Sequence, residues 1–395
     1  MIGHEFLHAP GPTHVPDRVL RAMHRQPLDL IDARLKDIVR TCFEDLKAVF
    51  QTAGHVFIYA ANGHGGWEAA LANLCRPGDR VLVPEIGHFS RGWAEHARAL
   101  GLEVETVEGD WRRAVDPNRI EAHLRADREH RIKAVLAVQI DTATGIASDI
   151  PAVRAAIDAA GHPALLVADT IASLAAMPFA MDAWGVDVAV AASQKALMCP
   201  PGLAILAANE RAVAHSRSLG ASHRYWDWGF RLGDENYTRH CGTMPELHFF
   251  ALREALDMIA EQGLPAVAER HRRISGAVQR AVEVWAEAGA LMLNAEVPQE
   301  RAASVTTILT GEGVDPDRIR THARERLGVA IAGGLGPMQG QAFRIGHLGD
   351  VNEPMILGCL GALELAFIEL GIPHGAGGVR AAVEHLARER AGAKG

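Results

Sequence analysis

Short apolar, β-branched runs alternate along most of the chain with Ala-, Leu- and Arg-rich stretches of helical period. That alternation predicts helices packed on a mostly parallel sheet. Seven runs read as strands: HVFIYA (55–60), RVLVP (80–84), EVETV (103–107), AVLAVQI (134–140), ALLVAD (164–169), VDVAVAA (186–192) and LAILAA (203–208). Between them GGWEAALANL, SRGWAEHARALG and IPAVRAAIDAAG read as helices, the last closed by a glycine as helix C-termini commonly are. The pattern up to residue 208 is that of one large α/β domain.

Beyond it the texture changes. ASHRYWDWGFRLGDENYTRHCGTMPE (221–246) is aromatic, polar and without period, and a long loop of this kind is usually functional or interfacial. A long helical stretch follows, broken at Gly263-Leu264-Pro265. The last hundred or so residues mix short strands (SVTTILT, VAIAGG, AFRIGHL) with helices (RIRTHARERLG, EPMILGCLGALELAFIELG), which predicts a smaller α+β domain.

Composition narrows the function. At roughly 150 residues per domain, 395 residues mean two or three domains, so the chain is neither a peptide nor a lone binding module. Forty Lys and Arg against forty-eight Asp and Glu leave a net charge of −8, which provides no basic field for nucleic acid or anionic lipid. The five cysteines are odd in number, dispersed and free of any CxxC pair, which points away from a disulfide frame or zinc knuckle and toward a reducing compartment. The N-terminal MIGHEFLHAPGPTHVP has no basic region followed by an apolar core, and no apolar run of about 18 residues occurs. A cytoplasmic protein without membrane or nucleic-acid partners is expected.

Three strand ends carry candidate chemistry. VDVAVAASQKALMCPPG (186–202) sets Lys195 just past a strand, where a desolvated lysine with a shifted pKa suits Schiff-base work; taken alone it reads more readily as a solvated surface lysine. Asp169 closes ALLVAD on the same sheet edge, where it could hold a protonated heterocyclic nitrogen or simply cap the next turn. Asn62-Gly63-His64-Gly65-Gly66 leads from a strand into a helix, a backbone suited to cradle phosphate or to make an ordinary glycine turn. It lacks the third glycine of a dinucleotide fingerprint, since Glu68 stands there, and the Lys-Ser/Thr of a P-loop. Jointly the three describe a pocket for pyridoxal 5′-phosphate.

Other features are decoys. HEFLH (4–8) matches H-E-x-x-H, but Pro10-Gly11-Pro12 follow at once and a stable helix is not expected, so no metal site is assigned. Twenty dispersed histidines show no second ligand pair. Trp226 and Trp228 read as packing residues, and Cys359 lies within an apolar helix as an inert thiol.

AxGPTxVP (9–16), GHGGWEAA, DTATGIASDI (141–150), VADTIASL, SQKALMCPPGLA and FRIGHLG (343–349) resemble the class V, fold-type I aminotransferases. Within that class they are most similar to the serine-, alanine- and aspartate-glyoxylate branch, from about residue 6 to about 370. The resemblance implies an N-terminal segment at the active-site entrance (1–20), a large cofactor domain (21–275) with the seven-stranded sheet, and a small C-terminal domain (276–395). It implies that Lys195 forms the internal aldimine and shuttles the proton, and that Asp169 pairs with the pyridine nitrogen, with Ile171 under the ring. Asn62, Gly63, His64 and Gln194 would hold the phosphate, Phe89 would stack on the ring, and Thr142 would approach its hydroxyl. Arg344 would receive the substrate carboxylate. A homodimer with a shared active site is implied, Thr243 reaching the neighbour's cofactor; His240 stands where alanine-glyoxylate relatives carry a tyrosine.

The expected activity is ping-pong transfer of an amino group from serine or alanine to glyoxylate or a similar small 2-oxo acid. A lyase on a small amino acid and an aspartate-glyoxylate transaminase are the alternatives, the latter needing a second cation from among Arg224, Arg231 and Arg239. A non-catalytic scaffold has no use for Lys195, Asp169 and Arg344 together. The buried setting expected for Cys359 counts against a cysteine desulfurase, which needs an exposed nucleophile.

Overall fold

Strands that are covered on both faces must be apolar throughout, and the apolar runs of this chain form such strands, except the edge run 103–107, where only Val107 is buried. The computed structural model describes residues 4–220 and 223–392; Ala221 and Ser222, the start of the long aperiodic segment, lie outside the described residues. In chain order the strands are β1 (Phe6–His8), β2 (His55–Ala60), β3 (Arg80–Pro84), β4 (Glu103–Val107), β5 (Ile132–Val138), β6 (Ile140–Asp141), β7 (Ile146–Ala147), β8 (Leu165–Asp169), β9 (Val188–Ala192) and β10 (Leu203–Ala208). The C-terminal part adds β11 (Leu291–Leu293), β12 (Val305–Thr310), β13 (Val329–Gly333) and β14 (Ala342–Gly346).

The larger sheet has the order β2-β10-β9-β8-β5-β3-β4. Only β10 is reversed: it pairs antiparallel with β2 and β9, while the other pairings are parallel. The carboxyl ends of β2, β9, β8 and β5 therefore open on one edge, where ligands of such sheets bind. The apolar run 134–140 is divided. β5 stops at Val138, and Ile140-Asp141 leaves the sheet to pair with β7 in a hairpin.

Several helices start where side-chain acceptors serve their free N–H groups. Asn62 accepts from Gly65 N for the helix Gly63–Leu74, Asp149 from Ala152 N for Ile150–Ala159, and Asn352 from Met355 N for Glu353–Leu370. Among the described residues no helix is long and apolar enough to cross a membrane.

The smaller sheet has the order β1-β13-β14-β12-β11. β1 is the strand within HEFLH; it pairs parallel with β13, His8 opposite Ile331, so the two histidines of that motif do not share a helical face. The helix Leu264–Trp285 joins two apolar cores, contributing Val267 to that of the large sheet and Ile274 through Trp285 to that of the small one. Trp285 is the bulkiest fully buried side chain of the second core, edge-on to Phe367 with its indole N–H on Glu364. Trp285→Ala should cost about 3–5 kcal/mol in urea unfolding; a change below about 1 kcal/mol would contradict this account of the second core.

Candidate active site

Asp169, the last residue of β8, is buried, and each of its oxygens has one donor. Ile171 N donates to Oδ1 at 2.7 Å and Trp67 Nε1 to Oδ2 at 2.8 Å. Burial pushes the carboxyl pKa up to about 7, and the two donors oppose it. Each oxygen keeps a lone pair, so a ring N–H can still be accepted.

Lys195 follows β9 after Ser193 and Gln194, in a turn held by Ser193 Oγ donating to Pro200 O (2.7 Å). Burial lowers its pKa to about 8, with the Arg344 charge acting the same way and Asp169 opposing. The N-terminal segment crosses this turn: Lys195 Nζ donates to Pro10 O, and Thr13 N to Gln194 O at 3.1 Å.

The glycine-rich turn lies beside them. Gly63 and His64 open the helix, so their N–H groups have no intrahelical acceptor and meet the positive end of its dipole. Gly63 lets Ile171 approach, because a Cβ there would lie 2.5 Å from Ile171 Cδ1 and the isoleucine would have to shift. Ile171 thus floors the pocket from below the turn. Phe89 and His64 have their ring centroids 6.4 Å apart. Gln194 Oε1 is buried without a partner among the described residues, an orphaned polar atom beside the lysine.

Arg344 lies in the middle of the small sheet, on β14 between Thr307 of β12 and Ala332 of β13. It is buried, donates from Nε to Gly333 O (2.6 Å) and from Nη1 to Thr142 O (2.8 Å), and has no carboxylate partner among the described residues. Burial lowers its pKa to about 10, with Asp141 opposing. A buried guanidinium whose remaining N–H groups lack an anion is suited to take a planar carboxylate.

Thus Asn62, Gly63, His64, Phe89, Thr142, Asp169, Ile171, Gln194, Lys195 and Arg344 are brought to the sheet edge and the domain boundary. His240 and Thr243 are not joined to them within this chain. His240 packs between Phe43 and Phe249, and burial among Arg231 and Arg239 lowers its pKa to about 3. Thr243 is exposed. Arg231 is committed to the carbonyls of Tyr225, Ile58, Arg239 and His240, and Arg239 to Gly233 O and Asp234. Trp228 stacks on Phe57, and Trp226 sits against Tyr59. Cys359 is buried and its thiol pKa raised by that burial.

Sequence reading passed over two residues here, Trp67 and Asp141. Trp67 was legible in principle: it lies one helical turn after Gly63, on the side facing the sheet. Asp141 ends β6, fully buried, and accepts from Phe89 N at 2.7 Å and Ser90 N at 3.2 Å.

Residues 5–339 match the family model Aminotransferase class-V. The chain is 42% identical over 392 residues to a serine–glyoxylate aminotransferase of Methylorubrum extorquens, covering 97% of this chain and 96% of that one. It is 38% identical over 392 residues to an L-aspartate–glyoxylate aminotransferase of Paracoccus denitrificans, covering 98% and 97%. The crystal structure of ureidoglycine-glyoxylate aminotransferase from Bacillus subtilis superposes with a TM-score of 0.88 at 27% identity, covering 98% of both chains.

Competitive acetylation from neutral to alkaline pH, mapped peptide by peptide, should show Lys195 losing its proton with a midpoint near 8. A midpoint at the ordinary 10.5 would contradict the desolvation of this lysine.

Proposed function

The chain belongs to the class-V aminotransferases, and on that premise we propose that it moves the amino group of a small amino acid, serine foremost and alanine next, to glyoxylate. The observation that carries the proposal is the buried, carboxylate-free fork of Arg344 set across the domain boundary from Lys195 and Asp169.

Pyridoxal 5′-phosphate fits the residues present. The free N–H groups of the Gly63 turn suit its phosphate and the Asp169 carboxylate suits its ring nitrogen, while Gln194, its side-chain oxygen buried and unpaired among the described residues, would meet the phosphate through its amide NH2. Asn62, Gly63, His64 and Gln194 would hold the phosphate, Phe89 and Ile171 the two ring faces, Thr142 the ring hydroxyl and Asp169 the ring nitrogen. Bound there, the cofactor supplies an electron sink for the bonds at the amino acid's Cα.

The protein's own groups do the rest. Arg344 grips the α-carboxylate in two parallel bonds and fixes which Cα bond faces Lys195. Lys195, its proton loosened by burial, would take the Cα proton and deliver it as a general acid to the carbon on the far side of the amino nitrogen. The same residues then act in reverse order on the 2-oxo acid, so the kinetics are ping-pong. Asp169 stays anionic opposite a protonated ring nitrogen, each stabilising the other's charge in a dry pocket.

Serine is favoured over aspartate because a dicarboxylate would want a second free cation. Of the three candidates, Arg231 and Arg239 are spent on holding their own loop, and Arg224 is exposed and lies over the Phe230 ring. We further propose a homodimer in which Thr243 reaches the neighbouring site, supported by its exposure and by Tyr237 and Leu247, large apolar side chains left 63% and 38% exposed on the same segment. A cytoplasmic location agrees with the five free cysteines.

Serine plus glyoxylate should yield hydroxypyruvate and glycine, with no turnover when glyoxylate is left out; ammonia release from serine alone would instead mean a lyase. Arg344→Gln should raise KM for both substrates about 100-fold, the order expected for two charge-assisted bonds. An unchanged KM would remove Arg344 from the substrate site.

A further inference from the structure

Arg344 sits on the small domain, yet one of its two anchoring bonds goes to Thr142 of the large domain. What holds Thr142 therefore also sets the arginine. The turn 141–145 closes on itself through Gly145 N donating to Asp141 O at 2.9 Å. On its outer side the small domain grips it: Thr307 Oγ1 donates to Ala143 O (3.1 Å), Asn294 Nδ2 to Thr144 O (2.8 Å) and Ala302 N to Gly145 O (2.9 Å).

On its inner side a single carboxylate secures it. Asp141 accepts from Ala143 N at 3.0 Å within the turn, and from Phe89 N and Ser90 N at the start of the helix His88–Ala99. No cation pairs with this fully buried group among the described residues; three amides and a helix N-terminus serve it instead. Its room is made by Gly87, where any Cβ would collide with the carboxyl carbon and both oxygens. Burial raises the Asp141 pKa and the amides oppose that shift, so the carboxyl group lies near Arg344 without consuming the guanidinium donors.

We propose that Asp141 is a positioning residue for the substrate carboxylate: it ties Phe89 and Thr142 to one point and through the Thr142 carbonyl sets the direction of the Arg344 fork. This deepens the proposed function and rests on Arg344 receiving that carboxylate. The Asp141 oxygens are taken up by backbone amides, so the residue acts through its neighbours. Its effect is one of aim, and a fork displaced by a fraction of an ångström binds a planar carboxylate through one bond rather than two.

The test uses the cofactor-loaded protein with propionate as a carboxylate probe, its binding read from the shift of the cofactor's absorption band, alongside steady-state kinetics. Asp141→Asn keeps the volume but turns one acceptor into a donor facing an amide N–H. It should weaken propionate binding and raise KM for serine and glyoxylate by about tenfold each, with kcat changed less than about threefold. Asp149→Asn, which removes an exposed helix-cap carboxylate elsewhere, should change neither. If Asp141→Asn fails to fold, Gly87→Ala, which pushes the carboxyl group aside, carries the same expectation. Arg344→Gln separates the two levels of the account. If it leaves propionate binding intact, the substrate reading itself fails. If it weakens binding while folded Asp141→Asn does not, only the positioning role is overturned.

Discussion

Withdrawal of three charged groups from water, on an edge where none finds a full counter-charge, is the constraint on which the site depends. Lys195, Asp169 and Arg344 each carry a pKa moved toward the neutral form by burial, and their hydrogen bonds among the described residues go to backbone groups and an indole N–H. An arrangement of this kind costs stability in the protein alone and is characteristic of sites whose charges are completed by a ligand. The fold bears the cost with two separate apolar cores, one for each sheet, so that the charged edge is flanked by structure that does not depend on it.

The domain boundary is consequently a working part. Arg344 belongs to the small sheet but is anchored on Gly333 of that sheet and on Thr142 of the other domain. The N-terminal segment makes a second crossing, running from β1 in the small sheet to Pro10 and Thr13 against the Lys195 turn. Both crossings meet at the residues assigned to bind the reacting molecules, so the relative placement of the two domains is also the placement of carboxylate grip and lysine.

Much of this was legible in the residues because it is local. The apolar runs at the centre of the sheet became strands since both of its faces are covered there, while the edge run 103–107 keeps Glu103 exposed and buries only Val107; Lys195, Asp169 and the Gly63 turn follow directly from strand ends that share one edge. What escaped depends on contacts between distant segments. β1 is three residues long and exists only by pairing with residues more than 320 positions away in sequence, which no local periodicity announces. β11 is equally short. Asp141 looked like part of a turn motif whose threonine drew attention, and its partners, Phe89 and Ser90, lie on a helix that sequence alone does not bring near. Arg231 and Arg239 looked available for a second carboxylate until their loop was seen to be built around them.

The central claim is that one lysine, at the end of β9, is the group that bonds the cofactor. Loading the protein with pyridoxal 5′-phosphate, reducing with borohydride and mapping the digest by mass spectrometry tests it directly. The account predicts a single phosphopyridoxyl label, on the peptide containing Lys195. A label on another lysine, or none, would contradict it.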